Sequence, residues 1–479
     1  MLNHDQPSGP LTPAPAAAGG TRASGLMERG AARLGLSVRG KATRNAGWLM
    51  GERVATMAVG LGVTVWMARY LGPAQFGLLS YALSLVALLG FIPYLGLDGI
   101  VTRELVRTPD KRDEIIGTTM GLRLAGSLVV ALSVSAFVLL SPGAGESRLL
   151  VGVIALGEVF SALEVADFWF QSRVRSRVSV MVRAVAIFSG AAIKVALIVA
   201  GAPLVAFAIA HVAQQGIKAA GFGVAYWRDT GGALLRMRFN ASLARGMLRQ
   251  SWPLILSSAG ALVYLKIDQV MLAQMKGPAE VGVYSVAARV SEIWYFIPAT
   301  IATSVFPSLI KARETDDEAY RRRLQHAYTV VVWLALGISV TVTLLAGPAV
   351  NFLYGEEYRR AAGILAIHVW TCPAIFMAAI LSKWLVAEGL FIFSLTRHGL
   401  GALVNVGLNF LLIPRYGGEG AAIATLVSYT VSSWLACYTD RRTLPAARMM
   451  TRALTSPLRH LGALVRQGFA RLTPSGGGS

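Results

Sequence analysis

Residues 266–306 read KIDQVMLAQMKGPAEVGVYSVAARVSEIWYFIPATIATSVF, an apolar helical hairpin that nevertheless carries Lys266, Asp268, Arg289 and Glu292. A charge midway along a membrane helix costs roughly 2.5–3.5 kcal/mol on insertion scales. Four of them in neighbouring spans therefore demand partners or a watery cavity, and the rest of the chain is read around that demand.

Composition agrees that the solvent is lipid. Hydrophobic residues make up 54% of the 479 and charged residues only 15%, with a mean hydropathy of +0.56. The apolar residues come in blocks that match bilayer thickness. The net charge of +20 would suggest nucleic acid in a soluble protein. Here the basic residues fall in tails and connecting loops, which points to topology and anionic lipid instead. Cys372 and Cys437 both lie in apolar spans, so no disulfide framework is expected.

The spans expected are 46–68, 77–101, 116–140, 149–170, 179–200, 203–226, 252–275, 282–308, 326–346, 362–386, 389–413 and 418–439. This is an all-α integral membrane fold of about twelve helices. The first apolar segment, which holds Arg53 and runs to about Met67, is too far from Met1 and too long for a cleavable signal. Basic loops recur at every second connection, which sets 171–182, 228–249 and 311–323 in the cytoplasm together with both termini. Residues 141–147 and 351–360 then face the periplasm, with Arg359 and Arg360 as a local exception. Six spans fall on each side of 228–249. The expected organisation is a disordered, basic tail (1–41), a six-helix lobe (42–227), a basic linker (228–249), a second six-helix lobe (250–440) and a basic, amphipathic tail (441–479).

The two lobes share a turn. Leu71-Gly72-Pro73-Ala74-Gln75-Phe76-Gly77 aligns without a gap with Lys276-Gly277-Pro278-Ala279-Glu280-Val281-Gly282. Gly-Pro chemistry marks a turn in both places, and the match predicts a parallel repeat related by an axis along the membrane normal.

The stretch LKIDQVMLAQMKGPAEVGVYSVAARVSEIWYFIPATIATSVFPSL, with YGEEYRRAAGILAI, LNFLLIPRYGGEGAAIATLVSY and the early RYLGPAQFGLLSYALS, resembles the polysaccharide transport family of lipid-linked oligosaccharide flippases. That family sits in the superfamily that also holds multidrug and toxin extruders, and the resemblance covers about 42–438. It implies two six-helix lobes in a MATE-like fold, alternating access, and a polyprenyl-diphosphate-linked oligosaccharide carried from the cytoplasmic to the periplasmic leaflet of a bacterial inner membrane. It implies no catalysis and no cofactor, and a polysaccharide polymerase as a candidate partner. A drug or organic-cation antiporter of the same superfamily and a non-transporting scaffold are the alternatives.

A diphosphate needs several cationic donors, and guanidinium offers it paired hydrogen bonds. Arg53, Arg123, Arg183, Lys194, Lys266, Arg289 and Arg397 fall within or near span ends and are the candidate cavity cations. For each, structural pairing or snorkelling to headgroups is the competing reading. Lys266 and Asp268, two residues apart, point to different helix faces. Glu292 follows Arg289 by three, a spacing that permits a same-helix ion pair. Glu158, Glu164, Asp167, Asp268 and Glu292 are candidates either for coupling to a proton or sodium ion or for structural pairing. No Walker phosphate loop is present, so direction must come from an ion or substrate gradient.

Overall fold

The computed structural model describes residues 21–140, 145–232 and 236–456. The chain divides into two compact units, 1–56 and 57–479. In the first, the basic segment expected to be unordered is helical from Thr21, the start of α1 (Thr21–Leu88); the tail ahead of it lies outside the described residues. Everything below concerns the second unit, whose described regular elements are all helical.

The second span is broken rather than continuous. After α1 come α2 (Phe91–Tyr94) and α3 (Asp98–Arg107). Leu95 and Gly96 both take positive φ between them, at 52° and 59°. A Cβ on Gly96 would fall 2.8 Å from the Leu254 Cβ, so the break sits where two backbones come close. There follow α4 (Arg112–Leu140), α5 (Gly145–Gly157), which runs through a 3₁₀ stretch (Glu158–Val165) into α6 (Ala166–Ser172), then α7 (Ser176–Val199) and α8 (Leu204–Thr230).

The second half opens with α9 (Ala241–Lys276), whose N-terminus is capped by Asn240 accepting from Ser242 and Leu243 N–H at 2.8 and 3.1 Å. α10 (Pro278–Glu292) continues through a 3₁₀ turn into α11 (Phe296–Thr315). Asp316 then caps α12 (Asp317–Tyr354), and the backbone N–H groups it accepts, that of Ala319 foremost, hold its carboxyl below the usual carboxylate range. α13 (Ala361–His368), α14 (Cys372–Ala387) and α15 (Phe391–Ser433) complete the half. Residues 444–456 form one more helix. Over that stretch the apolar face of the expected amphipathic tail is packed on protein, with Ala446, Ala447, Met450 and Ala453 buried.

Among the described residues eight helical stretches are long and apolar enough to cross a membrane. Two of them, Ala55–Arg107 and Ile392–Tyr438, contain a turn glycine, Gly72 and Gly417, where the backbone leaves helical geometry. The outer surface is apolar: Leu132, Leu344 and Leu403 are 70–75% exposed, as lipid-facing side chains are. Inside, small residues let helices approach, as in other membrane bundles.

The repeated turns have the same backbone. Gly72 sits at φ 67°, ψ 172° and Gly277 at φ 88°, ψ 173°, each followed by a proline that starts the next helical run. They also pack on each other. A Cβ on Gly77 would lie 1.8 Å from the Pro278 carbonyl oxygen, and one on Gly282 would lie 2.0 Å from the Pro73 carbonyl oxygen. That reciprocity is what a twofold relation between the repeats produces.

Candidate functional site

Below the paired turns two hydrogen bonds join the halves, Gln274 Nε2 to Tyr81 Oη at 3.3 Å and Ser84 Oγ to Gln269 Oε1 at 2.5 Å. The Tyr358 hydroxyl donates across to the Ala68 carbonyl at 2.9 Å. Beyond these rungs the halves separate around a cavity of about 460 Å³, lined from one side by residues between Ser80 and Tyr94 with Glu158, His211 and Gln215, and from the other by Lys266, Gln269, Ser285, Arg289 and Glu292. By helical rise Lys266 is about 16 Å from the Gly277 turn, near the middle of a hydrocarbon layer of roughly 30 Å.

Of the cations predicted for a cavity, Lys266 and Arg289 line this one. None of the ion pairs among the described residues involves either. The spacing that permitted an Arg289–Glu292 pair is not used; both side chains line the cavity instead. Glu158 lines it too, so Lys266 and Arg289 face Glu158 and Glu292 in a site of mixed charge rather than a purely cationic one.

The remaining candidates lie elsewhere. Arg123 is 2% exposed; it donates to Asp98 Oδ1 at 2.8 Å, and its guanidinium is sandwiched between the rings of Tyr94 at 4.8 Å and Phe168 at 5.0 Å. It clamps α4 to the broken second span. Arg183 pairs with Asp167, and Lys218 pairs with Glu164 at 2.7 Å. Lys194 donates to Gln214 Oε1 at 2.9 Å. Arg397 is buried in the second half and donates to Ser382 Oγ at 3.0 Å. The Arg53 side chain lies outside the described residues.

Asp268 turns away from Lys266, as their spacing requires. It is 2% exposed and accepts from the Tyr284 hydroxyl at 2.8 Å, from Asn409 Nδ2 at 2.6 Å and from Thr425 Oγ1. It belongs to no ion pair among the described residues. The Asn409 Oδ1 beside it has no hydrogen-bond partner. No group of three or more His, Cys, Asp or Glu among the described residues could hold a metal ion.

Sequence reasoning missed His211 and Gln215. The signal was present in α8, where His211, Gln214, Gln215 and Lys218 follow one another at helical spacing along an otherwise apolar helix. The stripe splits its duties: His211 and Gln215 line the cavity, Gln214 holds Lys194 and Lys218 holds Glu164.

An all-α bundle of helices long and apolar enough to cross a membrane, packed around an internal cavity, marks a class of polytopic membrane proteins, and the solved structures agree on the fold. One described as "Lipid II flippase MurJ, inward closed conformation" superposes with a TM-score of 0.65 at 12% identity, covering 84% of this chain and 90% of that one. An inward-facing multidrug resistance MATE family transporter of the MOP superfamily gives 0.64 at 15% identity, covering 83% and 95%. The family model described as "Polysaccharide biosynthesis protein" matches residues 42–313, and one described as MatE matches 253–411. The chain belongs to the polysaccharide biosynthesis protein family. Among curated relatives, "Probable flippase AglR" of Haloferax volcanii is 26% identical over 418 residues, covering 85% of this chain and 84% of its own length.

Proposed function

We propose that this protein is a flippase that carries a polyprenyl-diphosphate-linked oligosaccharide from the cytoplasmic to the periplasmic leaflet of a bacterial inner membrane by alternating access. The observation that carries the reading is the pair Lys266 and Arg289, both lining a cavity at mid-membrane depth and neither in an ion pair among the described residues. Arg289 is exposed and Lys266 half-buried on the cavity wall, so both are open to an anionic ligand, and a diphosphate spans two cations. The carboxylates Glu158 and Glu292 and the amide of Gln215 then offer acceptors and donors to sugar hydroxyls. The names of the relatives and the family support the same substrate class.

The architecture proposed is twelve spans in two six-helix lobes with both termini cytoplasmic. On that topology the paired Gly-Pro turns seal the periplasmic end, and the cavity is the one that loads from the cytoplasm. Asp268, buried without a cationic partner among the described residues, is the proposed seat of proton or sodium coupling, and a polysaccharide polymerase is the proposed recipient of the product. The presence of Glu158 and Glu292 favours one second reading, a drug or organic-cation antiporter.

Reconstitution into proteoliposomes with a lipid-linked oligosaccharide decides between them. Lys266→Ala and Arg289→Ala should each slow headgroup translocation at least about tenfold, the equivalent of ~1.4 kcal/mol, while elution and melting stay unchanged. Normal flipping by both variants, or preferential binding of an organic cation that depends on Glu158 and Glu292, removes the flippase reading.

A further inference from the structure

Away from the central cavity, and independent of the reading given to it, α12 and the helix of residues 444–456 form a second site. They run side by side in the same direction: Gln325 Nε2 donates to the Met449 carbonyl at 3.1 Å, and Trp333 Nε1 donates to Ser456 Oγ at 3.0 Å. Between them lies a hollow of about 600 Å³ walled by Arg321, Arg322, Arg448 and Arg452. A second hollow, of about 480 Å³, shares Arg322 and His326 with the first and continues over the apolar side chains of Ile301, Val305 and Val330.

Charge grades into apolar surface along this trough, since Arg322, Arg323 and His326 line the second hollow beside Ile301, Val305, Ala327 and Val330. Arg321 and Arg322 pair with Asp317 at 2.8 Å and Glu318 at 3.2 Å, both highly exposed pairs that water weakens. Arg448 and Arg452 are exposed, stand one helical turn apart, and take part in no ion pair among the described residues. Like charges at that spacing repel unless an anion lies between them. The residues that follow in the sequence, 457–479, contain Arg459, Arg466 and Arg471 and no acidic side chain. The apolar side chains of Ile301, Val305, Ala327 and Val330 in the adjoining hollow suit an anion that carries a hydrocarbon chain. Val330, Trp333 and Leu334, all about 40% exposed, extend the apolar surface along α12 in the direction leading away from Arg321 and Arg322.

We infer that this trough binds a lipid-borne phosphate or diphosphate, its headgroup among Arg321, Arg322, Arg448 and Arg452 and its chain over Ile301, Val305 and Val330. Two sources share that chemistry, a bilayer phospholipid and an isoprenoid diphosphate. In either case guanidinium forks read the phosphate oxygens, and an interfacial groove holds the chain.

The test is native mass spectrometry of the full-length protein in detergent, with cardiolipin, polyprenyl diphosphate and sodium pyrophosphate as separate probes. The wild type should retain at least one of the two lipids, and Arg448→Gln/Arg452→Gln should lose at least tenfold of that occupancy. Arg245→Gln/Arg249→Gln on α9, which removes two exposed arginines at the same spacing, should leave it unchanged. Val330→Ser, which touches no arginine, should weaken retention of the lipid and not of pyrophosphate. Retention of cardiolipin identifies a structural lipid; selective retention of the polyprenyl diphosphate identifies a loading station for substrate. Equal lipid occupancy in the two double variants, or pyrophosphate displacing the lipid as well as a competing lipid does, overturns the inference.

Discussion

The two Gly-Pro turns share a backbone and differ in what the residue after Pro-Ala does. In the second half Glu280 is buried, accepts from Nη1 and Nη2 of Arg360 at 2.7 and 3.0 Å and from the Gly418 N–H at 2.8 Å, and so ties α10 to two other parts of its own half. In the first half the aligned residue is Gln75, which is exposed. There the neighbouring Phe76 reaches across instead, edge-on to the ring of Tyr358 with centroids 6.5 Å apart. One turn is anchored at home, and the other is held by its partner. A repeat can therefore keep its fold in both copies while giving one copy the fixed frame and the other the freedom to leave.

The comparison breaks most severely at the glycines. Gly77→Val and Gly282→Val should each force the halves apart, because the new side chain meets a main-chain carbonyl at 1.8 or 2.0 Å. With spin labels at Ala74 and Ala279, both exposed, pulsed dipolar distances should lengthen and broaden in both variants. A single short distance in either would show that the contact is not shared by the two repeats. Native Cys372 and Cys437 are fully buried and do not compete for label.

Glu280→Ala comes next. Arg360 is 70% exposed, so solvent screening discounts the lost ion pair; with the orphaned Gly418 N–H the expected loss is about 1–2 kcal/mol. Gln75→Ala should stay within about 0.5 kcal/mol, as exposed substitutions do. Thermal melting of the two variants in one detergent measures the asymmetry, and equal shifts would erase it. A subtler change than Glu280→Ala is Tyr358→Phe, which removes only the hydroxyl donated to the Ala68 carbonyl across the halves. It should cost about 1 kcal/mol of the closed arrangement and show as a modest rise in the long-distance fraction of the same spin-label pair.

The turns were legible because proline and glycine announce themselves locally, and Lys266 and Arg289 because a charge in an apolar run is conspicuous. Partners were not. Nothing in the spacing of Arg123 and Asp98, or of Asp268 and Thr425, announces that they meet, since such pairs are made by packing between helices distant in sequence. The break at Leu95 was also hidden, because leucine rarely takes a positive φ and nothing in the local sequence announces that α9 passes close to Gly96. His211 and Gln215 were concealed for the opposite reason: uncharged polar side chains barely dent an apolar profile, and only their helical spacing gives them away.

The obstacle opposite each clasp glycine is a carbonyl, and that has a genetic consequence. When two side chains collide, a smaller residue on the partner restores the fit, so the positions can drift together. Gly77 and Gly282 each face backbone, which no substitution at Pro278 or Pro73 can shrink. A selection for revertants of Gly282→Val should therefore return glycine itself, or changes at distant positions that reseat a whole helix, and never a compensating residue on the opposite turn.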